Sequence, residues 1–154
     1  MGLIAARALM AHGELVAGTL YEQLGGETAL RAIIGEFIDA VFDDPMIGFF
    51  FRSADKKRIK MLELQHASEL LGGPHRYRGR PLDKAHAKHP IMGGHFDRRL
   101  QLLRETLERR EAPIAVIETW IEHSRALRPL ITGDPDSNCN AERALAKVGR
   151  SSES

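Results

Sequence analysis

Three of the chain's seven histidines fall within ten residues: His86, His89 and His95, in the run RPLDKAHAKHPIMGGHF. Near neutral pH an imidazole does two kinds of chemistry, moving protons and ligating metals. His86 and His89 are three apart, close enough to share a helical face, but Pro90 ends that helix and no cysteine stands near. A zinc site here would lack two or three of its ligands. A nucleophile paired with a base is no better supported, since no serine elbow accompanies these histidines and the one cysteine, Cys139, lies in the polar run GDPDSNCN.

A third use needs a single histidine. An imidazole carried on a short, loosely wound helix can ligate the iron of a haem whose flat apolar face is covered by surrounding helices. Phe49, Phe50 and Phe51 follow a helix-breaking corner and can set an aromatic ring against a porphyrin, although such a ring would serve equally in an ordinary core. Lys56, Lys57, Arg58, Lys60, Arg78, Arg80 and Lys84 offer cations for propionates, or simply a solvated face. Spacing alone leaves open which histidine is used. His12, His75 and His123 read as solvated, His89 as a helix-end residue and His95 as a cap.

These residues need elements to hold them. Apolar positions recur at helical spacing in every long segment, and no window shows the sustained alternation of a half-buried strand, so the class is all-α. Leu30, Ile33, Ile34, Phe37, Val41 and Phe42 form one stripe over Glu27 to Asp44, preceded by a very short helix near Tyr21 to Leu24 and the corner Gly25-Gly26. A second long helix runs from about Ser53 to Leu71, closed by Gly72-Gly73-Pro74, with Ile59, Leu62, Glu63, His66 and Leu70 facing inward. A helical turn follows over Leu82 to Lys88. Phe96, Leu100, Leu103 and Leu107 then mark the buried edge of another helix, and Pro113 opens a last one carrying Val116, Ile117, Trp120, Ile121 and Leu127.

At 154 residues, 43% hydrophobic and 28% charged, the chain suits one domain with one core. Its 22 basic and 21 acidic residues leave a net charge of +1, which gives no footprint for nucleic acid. No stretch approaches the ~20 apolar residues that cross a bilayer, and a lone cysteine suits a reducing cytoplasm. Residues 1–18 read as a partly helical extension rather than a signal peptide, and residues 133–154 as a polar tail with a brief helix over 141–148.

Four ordered blocks, LYEQLGGETALRAIIGEF, FDDPMIGFFF, LLGGPHRYRGRPLDKAH and HFDRRL, resemble the truncated haemoglobins, short globins with a two-on-two helical sandwich. The resemblance spans Leu20 to about Thr132, so residues 19–132 form the globin domain. Its LGG and LGGP elements are similar to the first group of that family, while YxGxP and HFxRxL are similar to the third as well. The resemblance implies a haem b cofactor with His86 as the proximal iron ligand and Phe51 or Phe50 as the stacking phenylalanine. It further implies a cavity wall that takes in Ile59, Leu62, Glu63, His66, Tyr77, Ile91, Phe96 and Leu100. The partners it implies are a small gaseous ligand and a reductase.

The distal side departs from the family. A tyrosine that commonly donates to the bound ligand is replaced by Ile38, and a position that is often polar is Ile59. Glu63 stands where glutamine is frequent, His66 where phenylalanine is, and Arg99 where relatives carry an apolar residue or tryptophan. An ionised Glu63 alone in such a pocket would cost several kcal/mol, so either a proton or a cation must join it. Arg99 is the natural cation, with His66 joining the network, unless both charged chains rotate out to solvent along their stems. His66 is also a candidate sixth iron ligand. The leading expectation is reversible binding of oxygen or nitric oxide. The alternatives are a haem peroxidase or nitric oxide dioxygenase using Arg99 and His66, and a haem-based sensor acting through the tail.

Overall fold

The computed structural model describes residues 8–9, 15–16, 18–87 and 89–132. Two helix pairs make up the body: α2 (Gly26–Asp43) with α3 (Lys56–Leu71), and α5 (Gly93–Arg109) with α6 (Ile114–Ala126). Helix α2 packs on both α3 and α5, and α6 on both α5 and α3, which is the expected two-on-two sandwich. Short helices α1 (Leu20–Leu24), α4 (Leu82–His86) and α7 (Arg128–Ile131) close its ends. The expected helix over 141–148, and the tail that carries it, lie outside the described residues.

Only four residues before Gly18 are described. Within the extension read as partly helical, Ala8–Leu9 and Leu15–Val16 form a two-residue antiparallel pair, with Ala8 opposite Val16 and Leu9 opposite Leu15.

Each helix begins and ends for a local reason. Thr19 and Glu22 make a reciprocal box at the start of α1: the Glu22 amide donates to Thr19 Oγ1 at 3.1 Å and the Thr19 amide to Glu22 Oε2 at 3.3 Å. Gly25 then turns the chain with φ 115°, a conformation that a side chain would strain. Asp55 caps α3 by accepting from the Arg58 amide, and so shortens the helix expected from Ser53. Gly72, at φ 83°, ends it, and a Cβ on Gly73 would run into the Tyr21 ring and the Ser68 hydroxyl.

The core is built from Leu30, Ile33, Ile34, Phe37, Ile38 and Val41 of α2, Leu64, Ala67 and Leu71 of α3, Leu102, Leu103 and Leu107 of α5, and Val116, Ile117, Trp120 and Ile121 of α6. Burying one such side chain contributes roughly 1.5–3 kcal/mol. The face of α3 that is fully buried in the core is thus Leu64, Ala67, Ser68 and Leu71, while Ile59, Leu62, Glu63, His66 and Leu70, expected to face inward, do so beside it. That second face is half-buried because it looks into a cavity rather than onto another helix.

Asp44 ties the sandwich together at the end of α2. Its side chain is 3% exposed, accepts the amides of Met46 (2.9 Å) and Ile47 (3.2 Å), and takes Nε (2.9 Å) and Nη2 (2.8 Å) of Arg98 from α5. The 3-10 turn Gly48–Phe51, which carries the phenylalanines, leaves from this corner. Replacing Asp44 by alanine orphans two buried or half-buried amides as well as the guanidinium. It is expected to cost about 1–3 kcal/mol, read as a lowered urea midpoint at unchanged slope.

Candidate functional site

A cavity of about 460 Å3 lies between α2, α3, α5 and α6 on one part of its wall and α4, the 3-10 turn and α7 on the rest. The ring of His86 is half-buried at its edge. Nδ1 of His86 sits 2.7 Å from the carbonyl oxygen of Leu82, one helical turn back. A carbonyl only accepts, so Nδ1 carries the proton and donates it. Nε2 is therefore left with its lone pair, which is the form that binds a metal. Burial pushes the ring below the ordinary 6.5, against the pull of the Leu82 carbonyl, and so favours the neutral imidazole.

Helix α4 is only five residues long, and the loop before it is held by side chains of α3. The His75 amide donates to Ser68 Oγ (3.1 Å), the Tyr77 amide to Glu69 Oε2 (3.1 Å) and the Arg78 amide to Gln65 Oε1 (3.0 Å). Tyr77 then donates its hydroxyl to the carbonyl of Arg80 at 2.7 Å, so its ring lines the cavity while its oxygen is committed elsewhere.

The structure brings nearly all the expected residues to one place. Phe50, Phe51, Ile59, Leu62, Glu63, His66, Tyr77, Ile91, Phe96, Arg99 and His86 all line the cavity. Leu100 does not; one position beyond Arg99, it turns to the helical core and packs there half-buried. Phe51 stacks on Phe42 with ring centres 5.1 Å apart, and Phe50 lies 4.1 Å from Phe49 and edge-on to His95. His95 also accepts the Met92 amide through Nδ1 at 3.1 Å, closing the start of α5 as a cap should. His89 is exposed and borders the cavity.

Of the two readings of the seven cations, the solvated face fits better: none of them lines the cavity, and Lys56 and Lys60 reach to Asp39 of α2, at 3.1 and 2.9 Å. His123, read as solvated, faces the cavity with its Nε2 3.4 Å from Nε2 of His66. The helical stripe was a usable signal for it, since His123 follows Trp120 by three and precedes Leu127 by four, and both of these line the same wall. Val41, Ile47, Leu82, Ala85 and Ile131 also line the wall without having been anticipated.

On the side bounded by α3 and α5, Ile38 and Ile59 present no donor, while Glu63 and Arg99 meet directly through Oε1 and Nη2. Their side chains are only 22% and 26% exposed, so neither has rotated out to solvent. The Arg99 guanidinium lies 5.0 Å from the ring centre of Phe37, a cation–π contact that holds it in place. No hydrogen bond joins His66 to this pair; it turns to His123 and lies 5.4 Å from the Tyr77 ring. Burial pushes His66 below 6.5, with Glu63 pulling it partly back.

A smaller depression of about 230 Å3 between α2 and α3 is lined by Arg31, Lys57, Lys60 and apolar residues, and offers no ligand for a metal. Among the described residues, no cluster of three or more histidine, cysteine or acidic side chains could hold a bare ion, and no helix is long and apolar enough to cross a membrane.

Comparison with known proteins points one way. The family model of bacterial-like globins matches residues 19–132. A group 1 truncated hemoglobin of Tetrahymena pyriformis is 34% identical over 110 residues, covering 70% of this chain and 91% of that protein. One from Synechocystis is 32% identical over 99 residues, covering 62% and 80%. The crystal structure of the T. pyriformis truncated hemoglobin in its Fe(III) form superposes with a TM-score of 0.70 at 30% identity, over 75% of this chain and 98% of that one. The hemoglobin of Chloroflexus aurantiacus gives 0.65 at 29%, over 74% and 98%.

The two depressed histidines set a pH dependence. Unfolded imidazoles take up protons near 6.5, whereas His66 and His86 in the fold take them up only at lower pH. Between those values the unfolded state binds more protons, so their contribution is full above 6.5 and is lost as the pH falls below it. Urea titrations of the haem-free protein on either side of 6.5 should show the drop, and His66→Leu should make it shallower.

Proposed function

The chain belongs to the bacterial-like globins, as a truncated haemoglobin, and we propose that it binds haem through His86 and takes a small diatomic gas at the cavity's other face. The observation that carries this is the His86 tautomer. Its Nδ1 proton is held by the Leu82 carbonyl, and its Nε2 lone pair is offered to an apolar-walled cavity. Those residues suit a haem: an aromatic turn at Phe50 and Phe51, aliphatic walls from Ile38, Ile59, Leu62 and Ile91, and one pre-oriented imidazole. When bound, the haem iron supplies reversible coordination of the gas.

The protein's own residues do the rest. The Leu82 carbonyl fixes the ring against rotation and makes Nε2 more basic by sharing the Nδ1 proton. Residues of the α2 and α6 walls, Ile38, Val41 and Trp120, keep bulk water from the cavity. Residues 19–132 are the working unit in this reading. The lone Cys139, without a second thiol to pair with, favours a cytoplasmic setting, where a reductase would return oxidised iron to the ferrous state. The enzymatic alternative asks Arg99 and His66 to act together, yet Arg99 is held by Glu63 and His66 by His123. The sensor alternative places its signal in residues outside those described.

Titrating the haem-free protein with haem should give a saturable, intense Soret band. His86→Ala is expected to weaken binding by more than the ~10–100-fold that loss of an outer-shell partner costs. An unaltered spectrum and affinity in that variant would remove His86 from the iron.

A further inference from the structure

On the reading that this cavity holds haem, we propose that Glu63 and Arg99 fit it for small weak acids, HX, with Glu63 accepting the proton and Arg99 partnering the anion X−; hydrogen cyanide and hydrogen sulfide represent the class. Glu63 is the only carboxylate among the described residues that line the cavity, and it reaches in from α3 beside Ile59 and Leu62. Arg99 reaches in from α5 and is steadied over the ring of Phe37. Fold stability does not require such a pair, since apolar residues of similar volume commonly replace a buried ion pair at no cost or with a gain.

The pair has little to offer a neutral gas. A carboxylate is an acceptor only, and Arg99 Nη2 is engaged by Glu63. A weak acid meets it differently. HX crosses the apolar wall uncharged, which avoids the several kcal/mol needed to strip water from X−. The H–X bond breaks, the proton forms an O–H bond on the Glu63 carboxylate, and X− keeps the electron pair of that bond, with which it would ligate a haem iron held by His86. Arg99, released from a neutralised partner, then faces X−. One anion and one cation are present before and after, nothing is oxidised or reduced, and no co-reactant is used.

The other titratable groups around the cavity are engaged elsewhere, except His89. On α3, His66 is drawn to His123 of α6; Tyr77, in the loop, donates to Arg80; His86, on α4, donates to Leu82. His95 of α5 accepts the Met92 amide, and His89 is exposed at the margin. That leaves Glu63 as the base in contact with the cation that will hold the anion.

The test is proton balance. The ferric holoprotein is titrated with cyanide in weakly buffered solution near neutrality, where the ligand is almost wholly hydrogen cyanide. The wild type is expected to release almost no proton per cyanide bound, because Glu63 keeps it. Glu63→Gln should release about one and bind cyanide on the order of 100-fold more slowly. A Glu63→Met/Arg99→Met double variant, which leaves no lone charge behind, should release the proton as well. A full proton released by the wild type would overturn the proposal, and so would retention of the proton by Glu63→Gln, which would move the base to another group. Failure to take up haem at all would overturn the haem reading, and this proposal with it.

Discussion

One hydrogen bond inside a five-residue helix decides what the cavity can do. The Leu82 carbonyl accepts from Nδ1 of His86, and that contact chooses the tautomer, stops the ring from turning and leaves a single lone pair facing inward. A histidine free in solution would sample both tautomers and carry a proton for much of the time near its ordinary pKa. Much of the surrounding structure serves this bond. The amides of His75, Tyr77 and Arg78 are each captured by a side chain of α3, and this fixes the loop from which α4 departs. Helix α7 packs against α4 from the far side, so the short helix is held although it has no side-chain N-cap of its own.

The opposite design choice shows on α3. Its core-facing residues, Leu64, Ala67, Ser68 and Leu71, are small or aliphatic and close-packed, whereas the residues one step around the helix are wide and partly polar. The same helix is therefore a structural member on one side and a wall of the site on the other. Two ionisable chains on that wall, Glu63 and His66, are each answered from another helix, by Arg99 of α5 and His123 of α6. Answering charge across helices in this way keeps the polar groups satisfied without water. It also makes this pocket unlike one furnished with hydroxyl or amide donors.

The helices were legible because their signals are local. The stripe Leu30 to Val41, the Thr19 and Glu22 box, the Gly25-Gly26 corner and Pro113 all act within a turn or two of chain, and α1, α2 and α6 lie close to where those signals put them. The site was legible by resemblance to a family more than by residue spacing, which by itself left three neighbouring histidines equivalent. What the sequence hid was the assignment of faces. Periodicity says that Ile59, Leu62 and Leu70 share a side of α3, but not that this side meets a cavity while Leu64 and Leu71 meet the core. For the same reason Leu100 was placed on the cavity wall and His123 in solvent, when one rotational step around α5 and α6 reverses both. The pairing of Lys56 and Lys60 with Asp39 was not legible because Asp39 lies on a helix seventeen or more residues away in sequence.

The most direct test of the imidazole-to-iron bond is vibrational. Resonance Raman spectra of the ferrous, gas-free protein, taken with two iron isotopes, should contain an isotope-sensitive iron–nitrogen stretch. That band should vanish in His86→Gly and return when free imidazole is added to fill the space. A band that persists unchanged in His86→Gly without added imidazole would show that another residue holds the iron and would contradict the account.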